Sequence, residues 1–170
     1  LVPVKRFDML IDALVALKQR QGDLQAVIVG EGYGREQLES QIHQASAEDW
    51  ISLPGHLDDA EVVDLYRRAW TVTSASAREG FGMTLTEAAA CGTPAVATRI
   101  SGHTDAVIDG RSGLLVDDRE ELTGALDRMI GDPDLREQLT AGALENASHL
   151  TWGATALSLI HISEPTRLGR

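Results

Sequence analysis

The chain has 170 residues, enough for one ordinary domain or for one half of a two-domain enzyme. It has 15 Lys and Arg residues against 26 Asp and Glu residues, and this net charge of −11 excludes the basic surface that a nucleic-acid partner requires. No apolar run approaches the ~18 residues that span a bilayer. The single cysteine allows no internal disulfide and no two histidines have metal-ligand spacing, so the sequence predicts a reducing, cytoplasmic location and no metal site.

Helical and strand patterns alternate along the chain. Apolar residues at three- and four-residue steps predict helices, and short apolar runs predict strands. The predicted elements in chain order are helix 5–21, strand 24–29, helix 35–45, strand 51–53, a helix after Asp58, strand 71–74, helix 84–91, strand 94–98, a helical turn at 104–108, strand 113–116, and helices 120–130 and 134–145. Short strands that are apolar on both faces predict an α/β fold with a doubly wound parallel sheet, covered by helices on both sides.

Two boundaries carry more detailed predictions. Asp58 is expected to cap the third helix, with Glu61 three residues later completing a capping box. From His161 onward the helical periodicity stops. The domain is therefore predicted over 1–158, and the irregular tail over 159–170 is either a disordered terminus or a non-native scar.

A glycine-rich loop before the fourth helix is the segment most indicative of chemistry. Gly80 and Gly82 let backbone N–H groups approach a ligand, and the start of a helix adds unpaired N–H groups and a positive dipole end, which suit a phosphate. Carboxylates repel phosphate, so the flanking Glu79 and Glu87 are better suited to sugar hydroxyls, which donate short, directional hydrogen bonds. The loop therefore indicates a diphosphate held between two sugars or, alternatively, a turn with ordinary solvated glutamates.

The spacing of Glu79 and Glu87 resembles the EX7E signature of retaining GT-B glycosyltransferases of family GT4, the glycosyl transferases group 1. Further segments resemble that family in the same order along the chain: 4–10, 27–32, 53–57, 101–105, 110–116 and 151–152. The resemblance implies the Rossmann-like C-terminal half of a GT-B fold. It also implies an enzyme that transfers a sugar from a nucleoside-diphosphate donor to an acceptor hydroxyl, with retention of the anomeric configuration.

The resemblance implies a role for each matching residue. Glu79 would contact hydroxyls of the transferred sugar, Glu87 would bind the ribose hydroxyls, and Lys5 would offset the charge that grows on the diphosphate as the glycosidic bond breaks. The backbone around Leu57 would meet the base edge. The diphosphate and the donor sugar would be cradled by the backbone of Gly80, Phe81, Gly82, Met83, Thr84 and Leu85. No cofactor and no metal ion is expected beside the nucleotide sugar.

The resemblance also implies a second domain that carries the acceptor. The chain begins just after the position of the family's Gly-Arg pair, so the phosphate-binding arginine and the N-terminal acceptor domain are expected to be absent. The acceptor can be a sugar, a lipid or a small molecule. A lipid acceptor would place the full-length enzyme at the inner face of a membrane. Two positions depart from the family pattern, since Ala75 stands in place of a proline and Asp105 is one methylene shorter than a glutamate.

Two other functions are considered from the residues. Gly30, Gly32 and Gly34 follow a predicted strand, but the third glycine of a dinucleotide-binding fingerprint would fall at Arg35, which argues against a dehydrogenase. A non-catalytic nucleotide-binding module of the same fold is the second alternative. His103 is interpreted as a loop histidine rather than a catalyst.

Overall fold

The computed structural model describes residues 1–150, in which helices and strands alternate as predicted. A 3₁₀ turn over Pro3–Lys5 precedes the first helix. The elements are α1 (Phe7–Lys18), β1 (Ala26–Val29), α2 (Arg35–Gln44), β2 (Ile51–Gly55), α3 (Asp59–Arg68), β3 (Val72–Ser74), α4 (Met83–Ala90), β4 (Ala95–Thr98), α5 (Ser101–Thr104), β5 (Gly113–Val116), α6 (Arg119–Gly131) and α7 (Pro133–His149). The predicted tail and the family match at 151–152 lie outside the described residues.

The strands of the described chain pair in parallel, in two hydrogen-bonded groups. β1 pairs with β2, and β4 lies between β3 and β5. Val96 of β4 lies opposite Thr73 on one side and Leu114 on the other. The predicted parallel α/β architecture is confirmed, with the difference that the ladder is divided into two groups. Because parallel strands end at the same edge, the loops that follow β3 and β4 meet there.

Two predicted helices begin elsewhere, for identifiable reasons. The helix predicted over 5–21 is interrupted at Arg6, whose φ of 51° is left-handed, so that a separate 3₁₀ turn precedes α1. The turn predicted at 104–108 is instead the helix α5, which begins three residues earlier. Gly102 explains this position, because a Cβ there would lie 2.7 Å from the carbonyl oxygen of Glu79. Only glycine allows so close an approach of the two backbones.

The main core lies where α1 packs against α6 and beneath the strands. Aromatic residues make up only 4% of the chain, and the core is accordingly aliphatic. Its fully buried members include Ile11, Leu17, Leu122, Leu126, Met129 and Leu139. Each such side chain contributes about 1.5–3 kcal/mol by leaving water, so this helix pair is a main source of stability. None of the helices within residues 1–150 is long and apolar enough to cross a membrane.

The predicted capping box at the start of α3 is confirmed. The Asp58 carboxylate accepts a hydrogen bond from the Glu61 N–H at 2.9 Å, and the Glu61 carboxylate accepts one from the Asp58 N–H at 2.9 Å. Two N–H groups that a helix start leaves without partners are thereby satisfied.

Replacing Asp58 by alanine is expected to lower the free energy of unfolding by about 1 kcal/mol, because the Glu61 N–H loses its acceptor. Chemical denaturation of the chain measures this change. Asp59→Ala is the matched control, since Asp59 is an exposed neighbour in the first turn that takes no part in the capping box. Its expected cost is the weaker helix-dipole effect, about 0.3 kcal/mol. Equal losses in the two variants would contradict the capping bond as the cause.

Candidate active site

Lys5 and Glu79, the two residues predicted to be catalytic, form an ion pair at the carboxyl end of β3. Lys5 Nζ donates to Glu79 Oε1 across 74 residues of sequence. The side chain of Glu79 is 17% exposed and that of Lys5 is 40% exposed. The carboxylate is therefore largely covered, while the ammonium group remains accessible from solvent.

The backbone around Lys5 holds this residue beside Glu79. The carbonyl of Val4 accepts a hydrogen bond from the Ala77 N–H at 2.8 Å, which ties the first turn to the loop after β3. The left-handed Arg6 then lets α1 leave in a new direction. Main-chain contacts thus position Lys5 in addition to its side-chain ion pair.

The pKa of the Glu79 carboxyl lies below its ordinary value. Burial by itself would raise this pKa, but hydrogen bonds from Lys5 and Ser76, together with the charge of Lys5, outweigh the effect of burial. The hydroxyl of Ser76 donates to Glu79 Oε1 at 2.8 Å. Glu79 is therefore ionised at neutral pH and acts only as an acceptor, which suits it to bind hydroxyl donors.

Lys5→Gln is expected to raise the pKa of Glu79, because the carboxylate loses its charged partner. Since the pKa of Glu79 is lowered in the folded chain, the pair stabilises the fold above the pKa of the unfolded chain. That stabilisation is lost as pH falls through the folded-state pKa of Glu79. The free energy of unfolding should therefore fall less steeply with decreasing pH in Lys5→Gln than in the unaltered chain. Carboxyl ¹³C NMR titration measures the pKa. Lys18→Gln is the control, because Lys18 donates to the Leu24 carbonyl instead, and it should leave the pKa of Glu79 unchanged.

The backbone N–H groups of the glycine loop fall into two sets. Three donate to acceptors within the chain: those of Gly82, Met83 and Leu85. Three others find no acceptor within residues 1–150: those of Gly80, Phe81 and Thr84. Open space surrounds the position that a Cβ at Gly80 would take. Free donors beside the positive end of α4 form a suitable site for an anionic group.

Glu87 lies on the exposed side of α4, where it has a neighbour that the sequence did not reveal. The hydroxyl of Tyr66 donates a long hydrogen bond of 3.5 Å to Glu87 Oε2. Burial and the charge of Glu87 raise the pKa of Tyr66 to about 12, so this hydroxyl keeps its proton. Tyr66 is therefore placed to orient the Glu87 carboxylate.

Leu57, the residue expected at the base, lies on a different loop from Glu79 and Gly80. It follows β2 and is half-buried. Together with Val27 and Leu65 it lines a cavity of about 290 Å³ between β1, β2 and α3. The structure brings together Lys5, Glu79 and the glycine loop, whereas this cavity is formed by different elements.

The glycine-rich turn after β1, which suggested a dehydrogenase, is filled by the chain itself. The Gly34 N–H donates to the Leu1 carbonyl at 3.0 Å. A Cβ at Gly32 would overlap the backbone of Leu1. The turn therefore packs against protein where a dinucleotide would need open N–H groups, and this observation argues further against that function.

The interpretation of His103 as a loop histidine was wrong. His103 lies in α5 and is 1% exposed, with hydrogen bonds to Ser74 and to the Thr98 carbonyl. Burial lowers its pKa below the ordinary value, against the effects of the Thr98 bond and of the Glu79 charge. Local sequence carries no signal for this contact, because His103 and Ser74 are 29 residues apart.

Within residues 1–150 no cluster of three His, Cys, Asp or Glu side chains could hold a metal ion.

The family model for Glycosyl transferases group 1 matches residues 1–145. The chain belongs to this family. The match confirms the resemblance noted from the EX7E spacing and favours a glycosyltransferase over a dehydrogenase.

Known relatives support the same assignment of this group 1 chain. It is 36% identical to a D-inositol 3-phosphate glycosyltransferase of Jonesia denitrificans over 175 residues, which cover 98% of this chain and 41% of the relative. Thus the chain spans about two fifths of the length of that curated relative. A second such enzyme, from Stackebrandtia nassauensis, is 35% identical and is covered over 38% of its length.

Solved structures confirm the GT-B fold of the group 1 chain. Anabaena HepE in complex with UDP-glucose superposes with a TM-score of 0.82 at 27% identity, covering 96% of this chain and 46% of HepE. The C-terminal domain of a group 1 family protein, LpcC from Francisella tularensis, superposes with a TM-score of 0.79 at 26% identity, covering 88% of this chain and 81% of that domain. The described residues thus correspond to the C-terminal part of such an enzyme.

Proposed function

We propose that this chain is the donor-binding part of an enzyme that transfers a sugar from a nucleoside-diphosphate sugar to an acceptor hydroxyl. The observation that carries the proposal is the Lys5–Glu79 pair beside the free N–H groups of the glycine loop. This arrangement places a cation and N–H donors for a diphosphate next to an ionised acceptor for sugar hydroxyls. The complex of HepE with UDP-glucose supports a nucleotide sugar as the donor.

Each group has a defined part in the proposed reaction. The loop N–H groups and Lys5 hold the diphosphate and stabilise the charge that develops on it. Glu79 accepts hydrogen bonds from the transferred sugar and orients its anomeric carbon. The bond between this carbon and the diphosphate breaks, and the acceptor oxygen forms its new bond on the same face. The proton of the acceptor hydroxyl passes to the departing diphosphate, and the configuration is retained.

Three further features of the proposed enzyme are its acceptor site, its cofactor requirement and its location. The acceptor is held by a further domain, consistent with relatives more than twice as long as this chain. Lys5 and the start of α4 supply the positive charge, so the proposal includes no metal ion and no cofactor. The proposed location is the cytoplasm, where nucleotide sugars would be the substrates.

Calorimetric titration of the 170-residue chain with UDP, GDP, ADP and UDP-glucose, without metal, tests donor binding. We expect saturable binding of one base. Glu87→Ala should weaken it by about 10- to 100-fold, because charge-assisted hydrogen bonds to the ribose hydroxyls are lost.

Glu137→Ala is the matched control for this titration, since Glu137 is an exposed helical glutamate on α7. It should bind nucleotide as the unaltered chain does. A folded chain that binds none of the ligands would contradict the proposed function. Equal losses in both variants would remove Glu87 from the site. Binding without any transfer by the full-length protein would favour the non-catalytic module instead.

A further inference from the structure

His103 is held in one defined state by the groups around it. Its Nδ1 lies 2.7 Å from the Thr98 carbonyl oxygen, which can only accept, so Nδ1 carries the proton. In the neutral ring Nε2 is then an acceptor, and it lies 3.0 Å from the Ser74 hydroxyl, which donates to it. The imidazole therefore bridges the carboxyl ends of β4 and β3.

Two routes lead from His103 to Ser76. The Ser74 hydroxyl, whose proton goes to His103, lies 3.3 Å from the Ser76 hydroxyl, whose proton goes to Glu79, so this first route is a packing contact between two oxygens and not a hydrogen bond. Thr98, whose carbonyl binds His103, donates through its own hydroxyl to the Ser76 carbonyl at 2.6 Å. Ser76 is 1% exposed, so the Ser74 hydroxyl limits by packing where its side chain can lie, and the hydrogen bond from Thr98 holds its backbone.

Ser76 in turn sets the position of Glu79, to which its hydroxyl donates at 2.8 Å. Through Ser74 and Thr98, which both contact Ser76, the buried imidazole is thus linked to the carboxylate predicted to bind the sugar. All the buried side-chain polar atoms of the described residues have hydrogen-bond partners, so none of these side chains leaves a buried polar group unsatisfied.

We propose that His103 is a positioning residue that holds Ser76 from two sides and thereby fixes the Glu79 carboxylate for the hydroxyls of the transferred sugar. The inference rests on the proposed function for its sugar-binding consequence. Its structural content, the coupling of His103 to Glu79, can be measured without any ligand.

The ligand-free test uses NMR of the 170-residue chain. The imidazole nitrogen shifts should show Nδ1 protonated and Nε2 accepting. Ser76→Ala removes one donor from Glu79 and should raise its pKa, which defines the full effect. His103→Asn keeps an N–H donor for the Thr98 carbonyl but removes Nε2, the acceptor for the Ser74 hydroxyl. Ser74→Ala removes the hydroxyl that donates to Nε2. Both should raise the Glu79 pKa by part of that amount, and the double variant should add nothing further.

Calorimetry with UDP and UDP-glucose then separates sugar binding from nucleotide binding. Ser74→Ala and His103→Asn should leave UDP affinity within twofold and lower the affinity for UDP-glucose relative to UDP by about 2- to 5-fold, the effect of weakening one hydrogen bond. Ser112→Ala is the control, because Ser112 is a buried serine that instead binds the Ile108 N–H at 2.8 Å.

Several results would overturn the inference. One is protonation at Nε2, and another is a Glu79 pKa that Ser76→Ala shifts while His103→Asn and Ser74→Ala leave it unchanged. An unaltered ratio of UDP-glucose to UDP affinity would overturn it as well, and so would an equal change in Ser112→Ala. If the unaltered chain shows the coupling by NMR but binds neither ligand, the proposed function fails and the structural coupling stands.

Discussion

Replacing Glu79 by alanine is expected to lower the turnover of the full-length enzyme by about 10²- to 10³-fold, or roughly 3–4 kcal/mol of transition-state stabilisation. The variant loses the ionised acceptor that we propose orients the sugar. It also leaves Lys5 without its partner, but Lys5 is 40% exposed, so water can solvate it at small cost to stability. Steady-state kinetics with the nucleotide sugar measures the effect, which should lie mainly in kcat.

Glu145→Ala is the matched control for this experiment. Glu145 is also paired with a cation, through an ion pair of 2.6 Å to Arg111, but it is exposed and lies on α7. Its loss should change turnover less than twofold. Turnover that is unchanged in Glu79→Ala would remove Glu79 from the active site, whereas retained UDP binding with lost turnover would separate catalysis from nucleotide binding.

Gly142→Ala is expected to destabilise the fold by about 3 kcal/mol, because the added Cβ would overlap the carbonyl oxygen of Arg111. Gly142 is buried within α7, and the helix cannot easily move away. Asn146 donates to the Ala106 carbonyl at 2.9 Å, and Glu145 pairs with Arg111, so the same face of the helix is attached at two further points. Chemical denaturation, read as the change in midpoint at constant slope, measures the loss.

Gly124→Ala provides a control of opposite sign. Gly124 also lies inside a helix, α6, but no atom lies within 4 Å of the position that its Cβ would take. Alanine there should stabilise the chain by about 0.5–1 kcal/mol, since it restricts the unfolded chain and clashes with nothing. Destabilisation by both substitutions would contradict the overlap with Arg111 as the cause of the loss in Gly142→Ala.

Features set by neighbouring residues were predictable from the sequence. The strand at Gly113–Val116 has the predicted bounds, and the capping box of Asp58 follows from a glutamate three residues away. Such features depend on local periodicity and on hydrogen bonds within one turn. The interruption at Arg6 was not predictable in this way, because a left-handed conformation is uncommon for a residue with a side chain.

The candidate site was predictable only in part. The family resemblance placed Lys5 and Glu79 together, although 74 residues separate them. It did not predict the hydrogen bonds that Ser76 and Tyr66 donate to Glu79 and Glu87. Nor did it predict the contact of His103 with Ser74. The Tyr66 contact depends on how α3 lies against α4, and the His103 contact depends on which strand ends lie side by side, so both are properties of the tertiary fold.

The packing of α1 on α6 affects how the chain folds during synthesis. Ion pairs of 3.3 Å join Arg20 to Asp127 and Asp12 to Arg119, and each spans 107 residues. At the ribosome's rate of about 5–20 residues per second, α1 emerges roughly 5–20 seconds before its partner helix. Throughout that interval the part of its apolar stripe that packs on α6 is uncovered, although α2 is already available, and the entropy of closing so long a loop must still be overcome. The face of α1 that packs on α6 is therefore a segment that a chaperone could bind during synthesis.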